Sequence, residues 1–200
     1  MTPSTAAAFA EPLAANDEII DRPVPNPLPG LLNGEDLSEE DSRHLFERLV
    51  LGRLEPELGG HPGAFDWVGV NYYPHNQWEI GHEMQMLAES DPRRIPLRDL
   101  LLRVHDRYRM PLMITETGDE QPGCAPWMEM VGREAFAAQA AGVDLRGICL
   151  YPVMDYPGWA DGRHCPCGVI ETDADYRERR LRPDVLATLL GISAEADSPA

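Results

Sequence analysis

Short apolar runs alternate with segments of helical periodicity from about residue 65 onward, and this alternation constrains the fold of the 200-residue chain more than any other feature. Three runs read as buried strands, because they are rich in β-branched or aromatic residues and bounded by turn residues: FDWVGVNYY, MPLMIT and LRGICLYPVMDY. Each is followed by apolar residues at helical spacing, in RIPLRDLLLRVHDRYRM, PWMEMVGREAFAAQAAG and RPDVLATLLGI. The pattern predicts βαβ units and a parallel sheet.

Two architectures contain such units: an open doubly wound sheet and part of a (β/α)8 barrel. No GxGxxG or GxxxxGK[ST] motif follows any of the predicted strands, so the usual signs of a nucleotide-binding open sheet are missing. Polar or aromatic residues do follow all three strands, at Asn71–Tyr73, Thr115–Thr117 and Tyr151–Asp155. In a parallel barrel these strand ends meet on one face, where active sites are built. The strand ends therefore favour the barrel.

Composition divides the chain into three parts. Residues 1–36 predict an irregular segment, because DRPVPNPLPGLLNGED holds four prolines and two glycines. Residues 37–192 are expected to form a partial (β/α) barrel domain, opening with a helix from Leu37 to about Leu54. Residues 193–200 are expected to be a flexible tail. Within the domain, Phe65 and Trp67 are expected in the core.

The formal net charge of −17 repels phosphate backbones and anionic head groups, so neither a nucleic acid nor a membrane is an expected partner. The first residues lack the basic and apolar regions of a signal peptide, which favours a cytoplasmic protein. The four cysteines are irregularly spaced and are expected to be reduced. Cys165-Pro-Cys167 lacks the two-residue spacer of most zinc knuckles, so we expect neither a metal nor a cofactor.

Three segments, in this order, carry a resemblance to a known family: FDWVGVNYY, PLMITETG and GICLYPVMDYPGW. They resemble the last three barrel strands of the family 1 type of retaining β-glycosidase, in the clan of (β/α)8 glycoside hydrolases. The segments YPHNQW and YPVMDYPGWADGRHC are also similar to those of a bacterial group of β-glucosidase-like proteins. The resemblance covers about residues 65–168 and implies the C-terminal half of a barrel that hydrolyses O-glycosidic bonds of a carbohydrate substrate.

The resemblance also implies roles for individual residues. Glu116 matches the catalytic nucleophile, and Tyr73 matches the residue that hydrogen-bonds it. A further set of residues would line the sugar site: Asn71, Trp78, Tyr151, Asp155 and Trp159. The sequence departs from the family at TETG, where the family has TENG, and at Gly158, where the family has a glutamate that binds sugar hydroxyls.

A retaining enzyme also needs a second carboxylate as acid and base, which the family carries in an Asn-Glu-Pro motif that this chain lacks. Glu11 in AFAEPL resembles the end of the fifth strand, and Glu55-Pro56 is predicted at a helix end. The resemblance therefore implies a truncated half-barrel that needs its missing N-terminal half or self-association. The alternative is a non-catalytic half-barrel remnant or carbohydrate-binding module, whose open sheet edges would also require a partner.

Overall fold

The computed structural model of the chain describes residues 51, 59, 61, 63–79, 85–88 and 90–197. The predicted irregular segment at 1–36, the predicted helix from Leu37, and both Glu11 and Glu55 lie outside the described residues. Within them, the helices are α1 Leu97–Tyr108, α2 Cys124–Ala140 and α3 Pro183–Ala196. The strands are β1 Val68–Asn71, β2 Trp78–Glu79, β3 Gln85–Met86, β4 Leu112–Thr117, β5 Leu145–Leu150, β6 Tyr156–Pro157, β7 His164–Cys165, β8 Ile170–Thr172 and β9 Arg179–Leu181.

A three-stranded parallel sheet in the order β1-β4-β5 forms the centre of the described structure. Helix α1 connects β1 to β4 and helix α2 connects β4 to β5, so consecutive strands are neighbours, as βαβ units require. The remaining strands form three two-stranded antiparallel pairs in the connections. This arrangement is a partial (β/α) fold, which confirms the predicted fold class.

The core lies between the sheet and its helices. Val68, Leu112 and Ile114 alternate along β1 and β4 and are almost fully buried against α1 and α2. Helix α3 packs on α2, where Gly132 leaves room for Ile192.

The second sheet face stays open within the described residues. Gly69 and Asn71, which alternate with Val68 in β1, are exposed. The prediction that Phe65 and Trp67 are core residues is wrong, because both are about half exposed. Trp67 lies two residues before Gly69, so its side chain belongs to the same sheet face, the one that the helices do not cover.

Two predicted boundaries also change. The strand predicted in LRGICLYPVMDY ends at Leu150, because the chain turns at Tyr151-Pro152. Helix α3 continues to Ala196, into the segment predicted as a tail. Alanine and glutamate at its end are good helix formers, so the small and acidic residues extend the helix.

Candidate functional site

The carboxyl ends of the three parallel strands lie side by side. Asn71 at the end of β1 is in register with Glu116 of β4, next to a shift in the pairing. The amide of Tyr72 donates to the carbonyl oxygen of Glu116 at 2.9 Å, and the amide of Tyr151 donates to that of Thr117 at 2.9 Å. Backbone hydrogen bonds thus hold the segments after β1 and β5 against the end of β4.

Glu116 and Tyr73 are joined directly. The Tyr73 hydroxyl donates to Oε2 of Glu116 across 3.0 Å, and both side chains are partly buried. Burial, the hydrogen bond to Glu116 and the negative charge of that carboxylate raise the pKa of Tyr73 above its ordinary value. The phenol therefore keeps its proton and remains a hydrogen-bond donor. Its bond fixes one oxygen of the Glu116 carboxylate and leaves the other oxygen available for reaction.

Asn71 lies beside this pair on the open face of the sheet. The hydroxyl of Thr115 donates to Oδ1 of Asn71 at 2.7 Å. Because an amide oxygen that accepts this bond fixes the plane of the whole carboxamide, Thr115 orients Asn71 one strand away from Glu116.

The residue after Glu116 points the other way, into the core. Thr117 is fully buried, and its hydroxyl accepts a hydrogen bond of 2.9 Å from Nε1 of Trp127. The Trp127 ring stacks on Tyr72 at a centroid distance of 5.4 Å. Threonine therefore suits this position of the TETG sequence because it satisfies a buried indole N–H.

Gly118 completes the motif for a steric reason. A Cβ atom at this position would lie 2.5 Å from the carbonyl oxygen of Tyr151. Only glycine lets the chain after β4 pass this close to the end of β5. The packing of Gly118 thus brings Tyr151 to the site.

Large aromatic side chains remain accessible on the loops that follow the strands. Trp78 in β2 and Tyr151 after β5 are partly exposed, and Trp159, in the turn between β6 and β7, is 88% exposed. Such faces suit the apolar C–H face of a sugar ring.

Tyr156 was not expected from the sequence. The phenols of Tyr151 and Tyr156 are among the groups whose negative charge, when they ionise, raises the pKa of Tyr73. Nothing in the spacing of MDYPGW separates Tyr156 from an ordinary loop tyrosine, and only the pairing of β6 with β7 places it.

Asp155 lies in a different environment from the one that the sequence predicts. Its side chain is 0% exposed, and Arg182 donates to its two oxygens at 2.7 and 2.8 Å. The amides of Gly168 and Thr172 donate to the same two oxygens at 3.1 and 3.0 Å. These four bonds occupy the carboxylate, so Asp155 holds the loops together and does not line an open sugar site.

The cysteine and histidine residues near this loop do not assemble a metal site in the part of the chain that the structure describes. His164 Nε2 lies 3.1 Å from the hydroxyl of Thr172. Cys124, Cys165 and Cys167 are buried and form no disulfide. Burial raises the pKa of Cys167 to about 12, so its thiol keeps its proton at neutral pH.

Comparison with known proteins gives structural matches only, since no family model and no curated protein matches the sequence. The chain resembles the β-glycosidase from Thermosphaera aggregans with a TM-score of 0.60 and 20% identity over 76% of this chain and 38% of that one. The β-glucosidase from Pyrococcus furiosus gives 0.57 and 22%, over 80% and 37% of the two chains. The family 1 β-glucosidase from Thermotoga maritima gives 0.57 and 18%, over 79% and 47%.

These matches show the fold. The chain spans less than half the length of each of the three structures. It shares the (β/α) architecture of β-glucosidases over that part. No helix among the described residues is long and apolar enough to cross a membrane.

Proposed function

We propose that Glu116 is the nucleophile of a retaining β-glycosidase site and that Tyr73 orients it. The observation that carries this proposal is the 3.0 Å hydrogen bond from the Tyr73 hydroxyl to Glu116 Oε2, made between the ends of two adjacent parallel strands. A carboxylate with one oxygen held by a neutral donor presents the other oxygen in a defined direction. This is the arrangement that a nucleophile needs.

The substrate class is a β-linked pyranoside. Glu116 attacks the anomeric carbon as the bond to the leaving oxygen breaks, and forms a glycosyl ester that water then hydrolyses. Asn71, Trp78, Tyr151 and Trp159 are proposed to contact the sugar. The Asn71 amide is oriented for hydroxyl groups and the aromatic rings are exposed for stacking. Asp155 is not included, because it is buried and its carboxylate already accepts four hydrogen bonds.

The second carboxylate is proposed to come from polypeptide outside the described residues. A retaining pair stands about 5–5.5 Å apart, and Glu116 is the one glutamate or aspartate that the described ends of β1, β4 and β5 bring to this face. Strands β1 and β5 are also the outer strands of the described sheet, with room for further strands. Polypeptide that precedes the described strands in a longer barrel would supply both the acid and these strands, and a second copy of the chain is the other candidate.

The test is intact-mass spectrometry after incubation with 2,4-dinitrophenyl 2-deoxy-2-fluoro-β-glucoside. The leaving group needs little help from an acid, so the nucleophile is tested separately from its absent partner. We expect the mass to increase by one fluorosugar, with the label located on Glu116 by peptide mapping. The control is Glu116→Gln, which keeps the shape of the side chain and removes its nucleophilic charge.

Absence of label from the chain alone and after addition of candidate N-terminal halves would refute the nucleophile assignment. Light scattering on the same preparation separates the two candidate partners. A monodisperse monomer that becomes labelled would exclude self-association as the requirement for the site.

A further inference from the structure

The hairpin of β6 and β7 carries the most exposed tryptophan of the described chain. Tyr156 pairs with Cys165 at its base, and the Gly158 amide donates to the Arg163 carbonyl oxygen at 2.7 Å. Trp159 lies in the turn between them and is 88% exposed. With so little of its surface in contact, the Trp159 ring is placed by the hairpin backbone and not by packing of the ring itself.

An ion pair joins this hairpin to the segment that follows Glu116. The Arg163 guanidinium donates from Nη1 to Oε2 of Glu120 at 2.9 Å and from Nη2 to Oε1 at 2.5 Å. Glu120 lies four residues after Glu116 in the same chain segment. Because two parallel bonds fix direction as well as distance, the pair holds the hairpin in one orientation relative to β4.

A second contact lies beside the pair. The backbone N–H of Gln121 donates to the Pro166 carbonyl oxygen at 2.8 Å. This bond holds the base of the hairpin against the segment that carries Glu120. The two contacts have different roles. The backbone bond fixes the base, and the ion pair acts nearer to the turn that carries Trp159.

We propose that Glu120 and Arg163 form a positioning pair that fixes the Trp159 hairpin beside the Glu116 site. The consequence for sugar binding rests on the proposed function, whereas the effect on the hairpin does not. Both side chains are about half exposed, and exposed pairs contribute little to global stability. The pair is therefore expected to change the position of Trp159 without changing the stability of the fold.

The experiment is 19F NMR of the full chain labelled with 5-fluorotryptophan. Trp159→Phe assigns the Trp159 resonance, and the buried Trp127 serves as an internal reference. The variants are Glu120→Gln, Arg163→Gln and the double variant. We expect the Trp159 resonance to shift toward its position in the urea-unfolded chain in all three, while the Trp127 resonance stays in place.

A matched control is available at the other end of the sheet. Arg146 makes two bonds to Asp144, at 2.6 and 2.8 Å, with side-chain exposures of 55% and 43%. The Arg163–Glu120 values are 53% and 43%. Arg146→Gln removes an ion pair of similar exposure and also with two N–O contacts, and should leave the Trp159 resonance unchanged.

The double variant distinguishes the pair from two separate effects. If Glu120 and Arg163 act through each other, the double variant shifts the resonance no further than either single variant. Additive shifts, or no shift in the single variants, would overturn the proposal.

The labelling reaction supplies the sugar-binding readout. We expect the concentration of fluoroglucoside that half-saturates the labelling rate to rise about two- to fivefold in the single variants, with a nearly unchanged maximal rate. A lowered maximal rate with unchanged half-saturation would contradict a positioning role toward the sugar. If the wild-type chain takes no label, either alone or with candidate N-terminal halves, only the proposed function is refuted, because the fluorine spectra would still decide whether the pair positions the hairpin.

Discussion

Replacing Arg182 with methionine should destabilise the protein strongly, because it leaves the carboxylate of Asp155 buried without its cation. Arg182 is the residue before α3, and its guanidinium bonds both oxygens of Asp155 and the Gly168 carbonyl oxygen, the last at 2.6 Å. The pair thus connects the segment after β5 with the start of the last helix. Methionine keeps most of the apolar stem and removes only the charge and the donors.

The magnitude follows from the burial and the number of bonds. Asp155 is 0% exposed and the Arg182 side chain 10%, so solvent screens the pair very little. Two hydrogen bonds to a charged acceptor are lost, each contributing roughly 1.5–3 kcal/mol. The two remaining bonds from the Gly168 and Thr172 amides still stabilise part of the charge. We therefore expect the free energy of unfolding to fall by about 3–5 kcal/mol, the range for broken buried pairs.

The pH dependence gives a second signature. Burial alone would raise the pKa of Asp155, but the hydrogen bonds from Arg182, Thr172 and Gly168 outweigh it and hold the pKa below its ordinary value. A carboxyl whose pKa is lowered by folding stabilises the protein above its unfolded pKa of about 4 and loses that contribution as the pH falls through the folded value. Arg182→Met should flatten this part of the stability profile.

The assay is urea unfolding followed by circular dichroism, at pH 7 and between about pH 2.5 and 5. The control is Arg180→Met, which breaks an ion pair with Glu178 on the exposed surface and should change the free energy by less than about 0.5 kcal/mol. The structural role given to Asp155 would be refuted if Arg182→Met lowered the free energy of unfolding by less than about 1 kcal/mol. It would also be refuted if the variant lost stability between about pH 5 and 2.5 as steeply as the wild type.

Three other predictions concern the site and its surroundings. Tyr73→Phe removes the donor to Glu116, the proposed nucleophile, and should slow labelling by the fluoroglucoside about 10–100-fold, measured by mass spectrometry. A change below about twofold would contradict the proposed orienting role. Gly118→Ala places a methyl group 2.5 Å from the Tyr151 carbonyl oxygen and should lower the free energy of unfolding in urea by about 1–3 kcal/mol. As a control, Gly191→Ala, in an open part of α3, should raise it by about 0.5–1 kcal/mol. Cys149 is exposed and the other three cysteines are buried, so native iodoacetamide treatment should add one carbamidomethyl group, and more than one would contradict the burial.

The strand and helix pattern was predictable because it depends on local residue chemistry. The β-branched runs and helical periodicity identified the three strands of the parallel sheet and three helices, and the order of that sheet follows from βαβ units that join neighbouring strands. The ends were less predictable. The apolar pattern of LRGICLYPVMDY continues past Leu150, so the pattern alone did not place the end of the strand at the turn before Pro152.

The site shows the same division between local and distant determinants. The contact between Tyr73 and Glu116 follows from a family resemblance and from the parallel register of β1 and β4. Asp155 was assigned to the sugar site from the family resemblance. Its partner Arg182 lies 27 residues further along the chain, and no spacing rule connects the two. A carboxylate in a sequence can be assigned a chemistry only when its partners are known.

Three strands orient the proposed nucleophile, Glu116, but do not by themselves make a glycosidase site. Among the described residues, the contacts around Glu116 come from its own strand or an adjacent one: Tyr73 follows β1, and Tyr151 follows β5 against Gly118. Under the proposed function, the acid stands on the other side of the scissile bond, with room for the sugar between the two carboxylates, and so it belongs to a strand beyond these neighbours. The described strands therefore account for the orientation of the proposed nucleophile, and the proposed acid has to come from polypeptide outside them.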